Sequence, residues 1–441
     1  MNRALRAFRF RFHQDPRCTH ISLSNETYRQ LNIRSNWMIL RFGAWQKAVP
    51  IRRVSSMPRG KILLPRKLTN KIIIPDLPYE YRRKGHQLTI GPVIGFQVWP
   101  KYYRNPRAQL PRFSHYHQIK GLVFLFTTRT IDRTSRTIRG YYYHPRKKRL
   151  IPGTFPYPSA IFNRTDMPRA TYRHLTRHIG RRIFNYPYRH ISKWTFWRKL
   201  STQPGIKKHL PHTVSGNTVA ALENMLSRYQ DVYLKPTLLC SGQGIFRFKR
   251  IGHRYWVSDR YGRQAGSTSL RKLFAVIRPK LVKGQTYIVQ RAIPFTVKGQ
   301  KIDFRAYLQK GRSKQWRCTA LETKVAKAGS IISNSANRVR IIPGGLALER
   351  YFYLTGEKKR RKIAEIKRIC VRALRQLETR HNHFGDVALD FVLDKHRHVW
   401  LLEVNVNYAA EIKANRSRDE RRVLPAILPA PFAYAKALAK S

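Results

Sequence analysis

The chain has 441 residues, 42% of them hydrophobic and 12% aromatic, enough to bury the cores of two or three domains and to exclude a disordered polypeptide. Its 89 Lys and Arg against 22 Asp and Glu leave a formal charge of +67, a field that draws polyanions such as nucleic acid, anionic polymer or acidic polypeptide; its spread along the whole chain argues against an ordinary enzyme carrying a basic tail. No stretch approaches the roughly 18 to 20 consecutive apolar residues of a membrane span, and the opening MNRALRAFRFRF has no apolar core or cleavage site of a secretory leader, so the expectation is a protein kept inside the cell.

Residues 1–100 read as a β-rich basic module. ILRFGAWQKAVPI (39–51), KILLP (61–65), KIIIP (71–75) and LTIGPVIGFQVWP (88–100) are strand patterns cut by turn residues. Over 101–190 a small α/β region follows. It has one buried-strand pattern, LVFLFTT (122–128), between basic aromatic stretches, KYYRNPR (101–107) and RGYYYHPRKKR (139–149), expected at the surface. From about residue 150 helix and strand signals alternate, beginning with PSAIFNRTD (158–166) as a strand end. Within 191–441, Val219, Leu222, Leu226 and Tyr229 share one helical face after Gly216 and Asn217, and the strand VYLKP (232–236) follows. A longer helix over roughly 357–379 sets Ile363, Ile366, Cys370, Ala373, Leu374 and Leu377 on an apolar stripe and leaves a basic face for solvent. Cys18, Cys240, Cys318 and Cys370 are far apart with no C-x-x-C pair, which predicts free thiols rather than disulfides or a cysteine zinc site. The histidine pairs His115 with His117, His381 with His383 and His396 with His398 lack a third ligand at suitable spacing.

GDVALDFVLDKHRHVWLLEVNVN (385–407) reads as two strands joined by a tight polar loop. Pairing Asp394 with Val399 across Lys395 to His398 sets Asp390 opposite Glu403, within about 5.5 Å between Cβ atoms. Asn405, two residues on, shares the face of Glu403. Two carboxylates and an amide oxygen make a partial shell for magnesium, which takes hard oxygen ligands; the plainer alternative is a polar hairpin face touching solvent or satisfying basic neighbours. Four of the 22 acidic residues fall within 386–403, a concentration that favours the metal.

Upstream, VYLKP ends in Lys235 and runs into TLLCSGQGI, where Gly242 and Gly244 allow backbone N–H groups to approach phosphate oxygens. No G-x-x-x-x-G-K-[ST] loop is present, and an ordinary hairpin turn is the alternative. In YIVQRAIPFTVKGQKIDFRAYLQK (287–310), Asp303 and Arg305 share one face of an apolar strand. That placement is expensive unless they pair with each other or bind something.

A lysine strand with a glycine loop, a Y-I-V-Q strand, a D-F-R strand, then Asp390 followed by E-V-N at 403–405 together resemble the ATP-grasp superfamily, and within it the YheC/YheD family of endospore-coat-associated proteins. IGPVIGFQVW (90–99), FPYPSAIFNR (155–164), FNYPYRHISKW (184–194) and LPHTVSGN (210–217) are similar to that family's landmarks, in its order. The resemblance implies an α/β (α+β) protein with an ATP-grasp domain of two lobes over 191–441, preceded by a pre-ATP-grasp region over 101–190. It implies ATP and Mg2+ as cofactors, with Lys193 and Lys235 on the phosphates. The segment Ile288 to Arg291, with Val289 and Gln290, would face adenine and ribose; Gly242, Gly244, Asp303 and Asn334 complete the nucleotide set, and Asp390, Glu403 and Asn405 hold magnesium. Arg305 and Lys324 would manage transition-state charge as a carboxylate is phosphorylated and then attacked by an amine or thiol. Leu239 and Cys240 stand where the family's loop carries glycine and serine. Lys324 replaces an arginine, keeping charge but not bidentate geometry, and glycines paired after the asparagine are displaced to Gly344 and Gly345 or lost. Three readings follow. One is a ligase acting on an anionic or polymeric acceptor, favoured by the intact metal set; another is a structural spore-associated protein without turnover, favoured by the altered loop. The third is a nucleic-acid binder, favoured by aromatic residues among cations in FNYPYRHISKWTFWRK (184–199) but with no recognisable reading module. Location is expected to be cytoplasmic or spore-associated.

Overall fold

The computed structural model describes residues 9–15, 17–59, 61–65, 72–187, 191–239, 242–379, 382–408, 410–413 and 417–440. Lys71, Tyr188 to His190, Cys240, Ser241 and His381 of the expectations above therefore lie outside the described residues. The chain divides into two compact units: Met1–Tyr188 with Lys310–Gln315 and Leu428–Ser441, and Arg189–Gln309 with Trp316–Ile427.

In the first unit a seven-stranded sheet runs in the order Arg9–Phe12, Lys61–Leu64, Ile21–Ser24, Trp45–Val54, Trp37–Phe42, Gln87–Gly91, Glu80–Lys84. Period-2 alternation places Met38, Leu40 and Phe42 inside and their neighbours outward. The expected strand at KIIIP is not formed. Ile72 and Ile74 are buried, and the backbone N–H of Ile73 donates to the Thr154 carbonyl at 2.8 Å, but Pro75 has no N–H with which to extend a ladder.

The second sheet of this unit has a parallel centre. Val93–Gln97 lies between Leu122–Phe126 and Ala160–Asn163, and Ile183–Phe184 continues the parallel run. Such strands are covered on both faces, and the first three are buried at every position. RGYYYH, expected at the surface, instead lies in the strand Thr137–His144, antiparallel to Arg149–Pro156 and to Leu122–Phe126, with Tyr142 in the core. Its aromatic residues are neighbours in sequence but point to opposite faces. The C-terminal helix Ala430–Ala439 belongs to this unit and packs Phe432 edge-on against Phe96 at 5.4 Å and Phe162 at 5.9 Å.

The second unit holds two antiparallel sheets. The first runs Thr213–Ser215, Tyr287–Arg291, Asp231–Pro236, Phe246–Ile251, Arg254–Asp259, Gln264–Ser267. The helices Val219–Tyr229 and Leu270–Ile277, capped by the Thr218 and Ser269 hydroxyls, pack their Leu222, Leu226, Leu273 and Ile277 against Val232, Leu234 and Val289. The second sheet runs Arg338–Pro343, Trp316–Ala328, Gln300–Lys310, Asp386–Leu393, Val399–Asn405. The long helix Gly356–Leu377 buries Ile366, Ile369, Cys370, Ala373, Leu374 and Leu377. Each large apolar side chain of this stripe contributes about 1.5–3 kcal/mol, and outside it Arg360, Arg361 and Lys362 pair with Glu357 and Glu365. Ile363 is half-buried and Ile369 replaces it in the stripe. Among the described residues no helix is long and apolar enough to cross a membrane.

Candidate functional site

A cavity of about 110 Å³ opens in the second unit, with walls from both of its sheets. Each wall follows from strand alternation. In Asp231–Pro236, Val232 and Leu234 face the helices, so Tyr233 and Lys235 face the cavity; in Tyr287–Arg291, Gln290 does the same. In Gln300–Lys310, Ile302, Phe304 and Ala306 are buried while Lys301, Asp303 and Arg305 are half-buried on the other face. Lys193 enters from the first turn of the helix Lys193–Ser201, whose cap is the Ser192 hydroxyl, and its backbone N–H donates to the Thr237 carbonyl at 3.0 Å.

Asp390 stands opposite Glu403, as the hairpin reading expects, but by another route. The turn pairs Leu393 with Val399, one residue off the expected register, and a bulge restores it: Phe391 pairs with Leu401 and Asp390 with Glu403, leaving Leu402 as the extra residue. Without that insertion the two carboxylates would not face each other. Asn405 lies on the same side, its Nδ2 3.4 Å from Glu403 Oε1.

Charge pairs fill the cavity. Arg305 donates to both oxygens of Asp390, at 2.6 and 2.7 Å, and Lys324 stands 3.5 Å from the same carboxylate. Lys193 Nζ lies 3.2 Å from Glu403 and 2.9 Å from the Leu239 carbonyl. Lys235 donates to Gln290 Oε1 at 2.8 Å over the Tyr233 ring, and Lys301 meets Asp303 at 2.8 Å. Burial pushes the Asp390 carboxyl up, yet Arg305 and then Lys324 overcome this and hold it below the usual carboxylate range. Glu403 is likewise lowered, burial being outweighed by Lys193 and Arg305 against the opposing charge of Asp390. Lys235 goes the other way: burial, with Lys301 and Lys193 nearby, brings it down to about 7.

Of the expected site residues, Lys193, Lys235, Gly242, Gln290, Asp303, Lys324, Asn334, Asp390 and Glu403 line the cavity. Arg305 and Asn405 stand behind it, bonded to Asp390 and Glu403. Val289 does not reach it, because its side chain packs in the apolar core with Leu234. Gly244 is also off the wall, under the Tyr287 hydroxyl. Asp303 and Arg305 do not pair with each other: same-face neighbours along a strand project in parallel, and each turns to another partner. Lys301 was missed, although the i, i+2, i+4 spacing with Asp303 and Arg305 signals it. Tyr233, Ile245, Ile331, Ile332 and Ser333 were missed as well; they come from separate segments, and no local pattern joins them.

Gly242 has φ +71°, and a Cβ there would stand 2.5 Å from Ile332 Cδ1 and 2.8 Å from Asn334 Nδ2. Gly242→Ala is expected to cost about 1–3 kcal/mol, read as a lower urea midpoint, and to push Asn334 out of the cavity wall. An unchanged midpoint would contradict this packing.

The donors Asp390, Glu403 and Asn405 are all oxygen, and both carboxyls are held ionised, so the set fits magnesium by its chemistry. The YheC/D-like ATP-grasp family model matches residues 180–438. The endospore coat-associated protein YheD of Bacillus subtilis (strain 168) is 22% identical over 370 residues, covering 78% of this chain and 77% of that protein. Among solved structures, the C-terminal domain of K. lactis Pby1, an ATP-grasp enzyme interacting with the mRNA decapping enzyme Dcp2, is 14% identical with a TM-score of 0.43, over 76% of this chain and 91% of that one. The ATP-grasp ligase PsnB with its minimal precursor is 13% identical with a TM-score of 0.44, over 78% and 99%. The family match spans more than half of the chain and takes in the lysine strand, the glycine loop and the facing carboxylates alike; the protein belongs to the YheC/D-like ATP-grasp family, and its C-terminal half carries the ATP-grasp fold.

Proposed function

We propose that this protein binds Mg-ATP in the cavity of the second unit and acts as an ATP-dependent carboxylate–amine or related ligase. The observation that supports this reading most strongly is the convergence of Lys193, Lys235, Lys301 and Lys324 with Asp303, Asp390 and Glu403 on one wall set. Lys193 and Lys235 hold phosphate oxygens, and Gln290 orients Lys235. Asn334, held against Gly242, narrows the loop side. Lys324 neutralises the negative charge that develops on the transferring phosphoryl group, and Arg305 acts through Asp390, whose orientation it fixes. Asp390, Glu403 and Asn405 would hold magnesium, which when bound neutralises phosphate charge. The acceptor carboxylate, once phosphorylated, is attacked by an amine or thiol with release of phosphate. An anionic or polymeric acceptor, or an anionic layer of the spore, suits the charge of +67 and the endospore-coat association of the Bacillus relative.

At about 110 Å³ the cavity is below the roughly 300–1,000 Å³ of small-molecule sites, so nucleotide entry requires the lysine–carboxylate pairs to part. Calorimetric titration with Mg-ATP in high salt, where non-specific polyanion attraction is screened, tests the reading. The wild type is expected to bind saturably and only with magnesium, and Glu403→Ala with Asn405→Ala to weaken binding at least about 100-fold. A wild type that takes up no nucleotide would leave the structural spore-associated reading in its place.

A further inference from the structure

In the first unit, His13 follows the strand Arg9–Phe12 and His20 precedes the strand Ile21–Ser24, and these two strands flank Lys61–Leu64. Cys18 lies between the two histidines in the sequence. The Cys18 thiol is buried, with its residue 8% exposed. Its sulfur is 3.5 Å from Nδ1 and 3.6 Å from Nε2 of His20, and the two imidazoles meet edge to face at 5.3 Å between centroids. One ligand atom from each of the three residues lies within 4.8 Å of the other two, and among the described residues no other three His, Cys, Asp or Glu groups converge in this way.

Around a tetrahedral zinc ion, bonds of about 2.0–2.1 Å to nitrogen and 2.3 Å to sulfur put neighbouring ligand atoms about 3.3–3.6 Å apart. The Cys18–His20 separation already matches, and the widest pair must close by little more than about 1 Å. We propose that His13, Cys18 and His20 form a binding site for a divalent transition metal of the zinc class, with the fourth position taken by water. A thiol donating to the His20 carbonyl, 3.5 Å away, and the hydrogen bond of His13 to the His20 backbone hold the three side chains together ahead of any ion. Ser22 Oγ meets His13 Nε2 at 3.2 Å, the kind of outer contact that fixes a ring for coordination.

One sulfur and two nitrogens select borderline-soft ions over magnesium, which keeps this site chemically distinct from the oxygen donors of the second unit. On binding, the Cys18 S–H bond breaks, its proton passes to solvent and a sulfur–metal bond forms, with no change of oxidation state. The ion would clamp His13 to His20 and so fix the edge strand Arg9–Phe12 in its four-residue parallel pairing with Lys61–Leu64.

Cobalt(II) titration of the chelator-stripped full chain tests the site. About one equivalent is expected to bind with a thiolate-to-cobalt charge-transfer band that zinc displaces. Cys18→Ser is expected to lose the band, and His13→Gln to bind at least about 100-fold more weakly, while Glu403→Ala with Asn405→Ala keeps it. The wild-type spectrum is decisive without any variant: no thiolate band with cobalt in excess overturns the proposal. A band that persists in Cys18→Ser overturns it too, since the sulfur would then come from another cysteine.

Discussion

Asp390→Ala is expected to lower stability by about 3–5 kcal/mol and to remove magnesium-dependent ATP binding. The guanidinium of Arg305 is 15% exposed and spends two hydrogen bonds on this carboxylate, with Lys324 at 3.5 Å on the same group. Removing the acid leaves two cations facing each other away from water, and that uncompensated charge is the cost, rather than the intrinsic worth of the pair. The double replacement Asp390→Leu with Arg305→Met, which removes one of the two cations and leaves Lys324, is therefore expected to regain part of the lost stability while binding no nucleotide. A urea midpoint for the double variant as low as that of the single one would refute the argument. The pH dependence has a defined sign. The folded carboxyl lies below its unfolded value of about 3.9, so its contribution is complete above about pH 4 and is lost as pH falls through the folded pKa. Asp390→Ala should thus flatten the acid limb of the stability curve.

Mg-ATP affinity is expected to fall about tenfold per pH unit above pH 7, on the order of 100-fold between pH 7 and 9. Lys235 carries this effect. Its ammonium is brought down to about 7 by burial and by Lys301 and Lys193, whereas phosphate oxygens alongside would raise it again. Above pH 7 the free protein must first take up a proton, and each further unit of pH makes that proton tenfold scarcer. For folding the slope has the same sign as in the acid case: the unfolded lysine binds its proton more tightly, so between about pH 7 and 10 this group makes the chain more stable as pH rises. Lys235→Arg supplies a charge that does not titrate in this range, and calorimetry across pH 6 to 9 should find its affinity nearly level. A wild-type profile as flat as that of Lys235→Arg would remove Lys235 from the phosphate site.

The site was legible where period-2 alternation governs and illegible where segments meet. Lys235 and Gln290 point into the cavity because Leu234 and Val289 point into the helix-packed core; the same rule, applied to Val289, would have removed it from the nucleotide set. Lys301 was within reach of that rule too. The facing of Asp390 and Glu403 was anticipated from a turn one residue out of register, and Leu402 made the difference good; bulges leave little local trace in a sequence of alternating apolar residues. The apolar wall of Ile245, Ile331 and Ile332 depends on how the second unit closes, which periodicity does not encode. The meeting of His13, Cys18 and His20 is not legible in the sequence, because a loop between two strands has no periodicity that fixes where its side chains point. The fold class was clearer than its edges: buried strands declare themselves by composition, but nothing within residues 430–439 says which sheet that helix will cover.

That last helix bears on how the protein is made. Phe96, Phe162 and Phe184 lie on one face of the parallel sheet and receive Phe432 and Tyr434, side chains that leave the ribosome some 250 residues after Phe184. At about 5–20 residues per second, the aromatic face waits roughly 10 to 50 s for its cover. During that interval the nascent chain displays a sticky surface beside a dense field of cations, so a chaperone holding that surface would decide the yield of native protein.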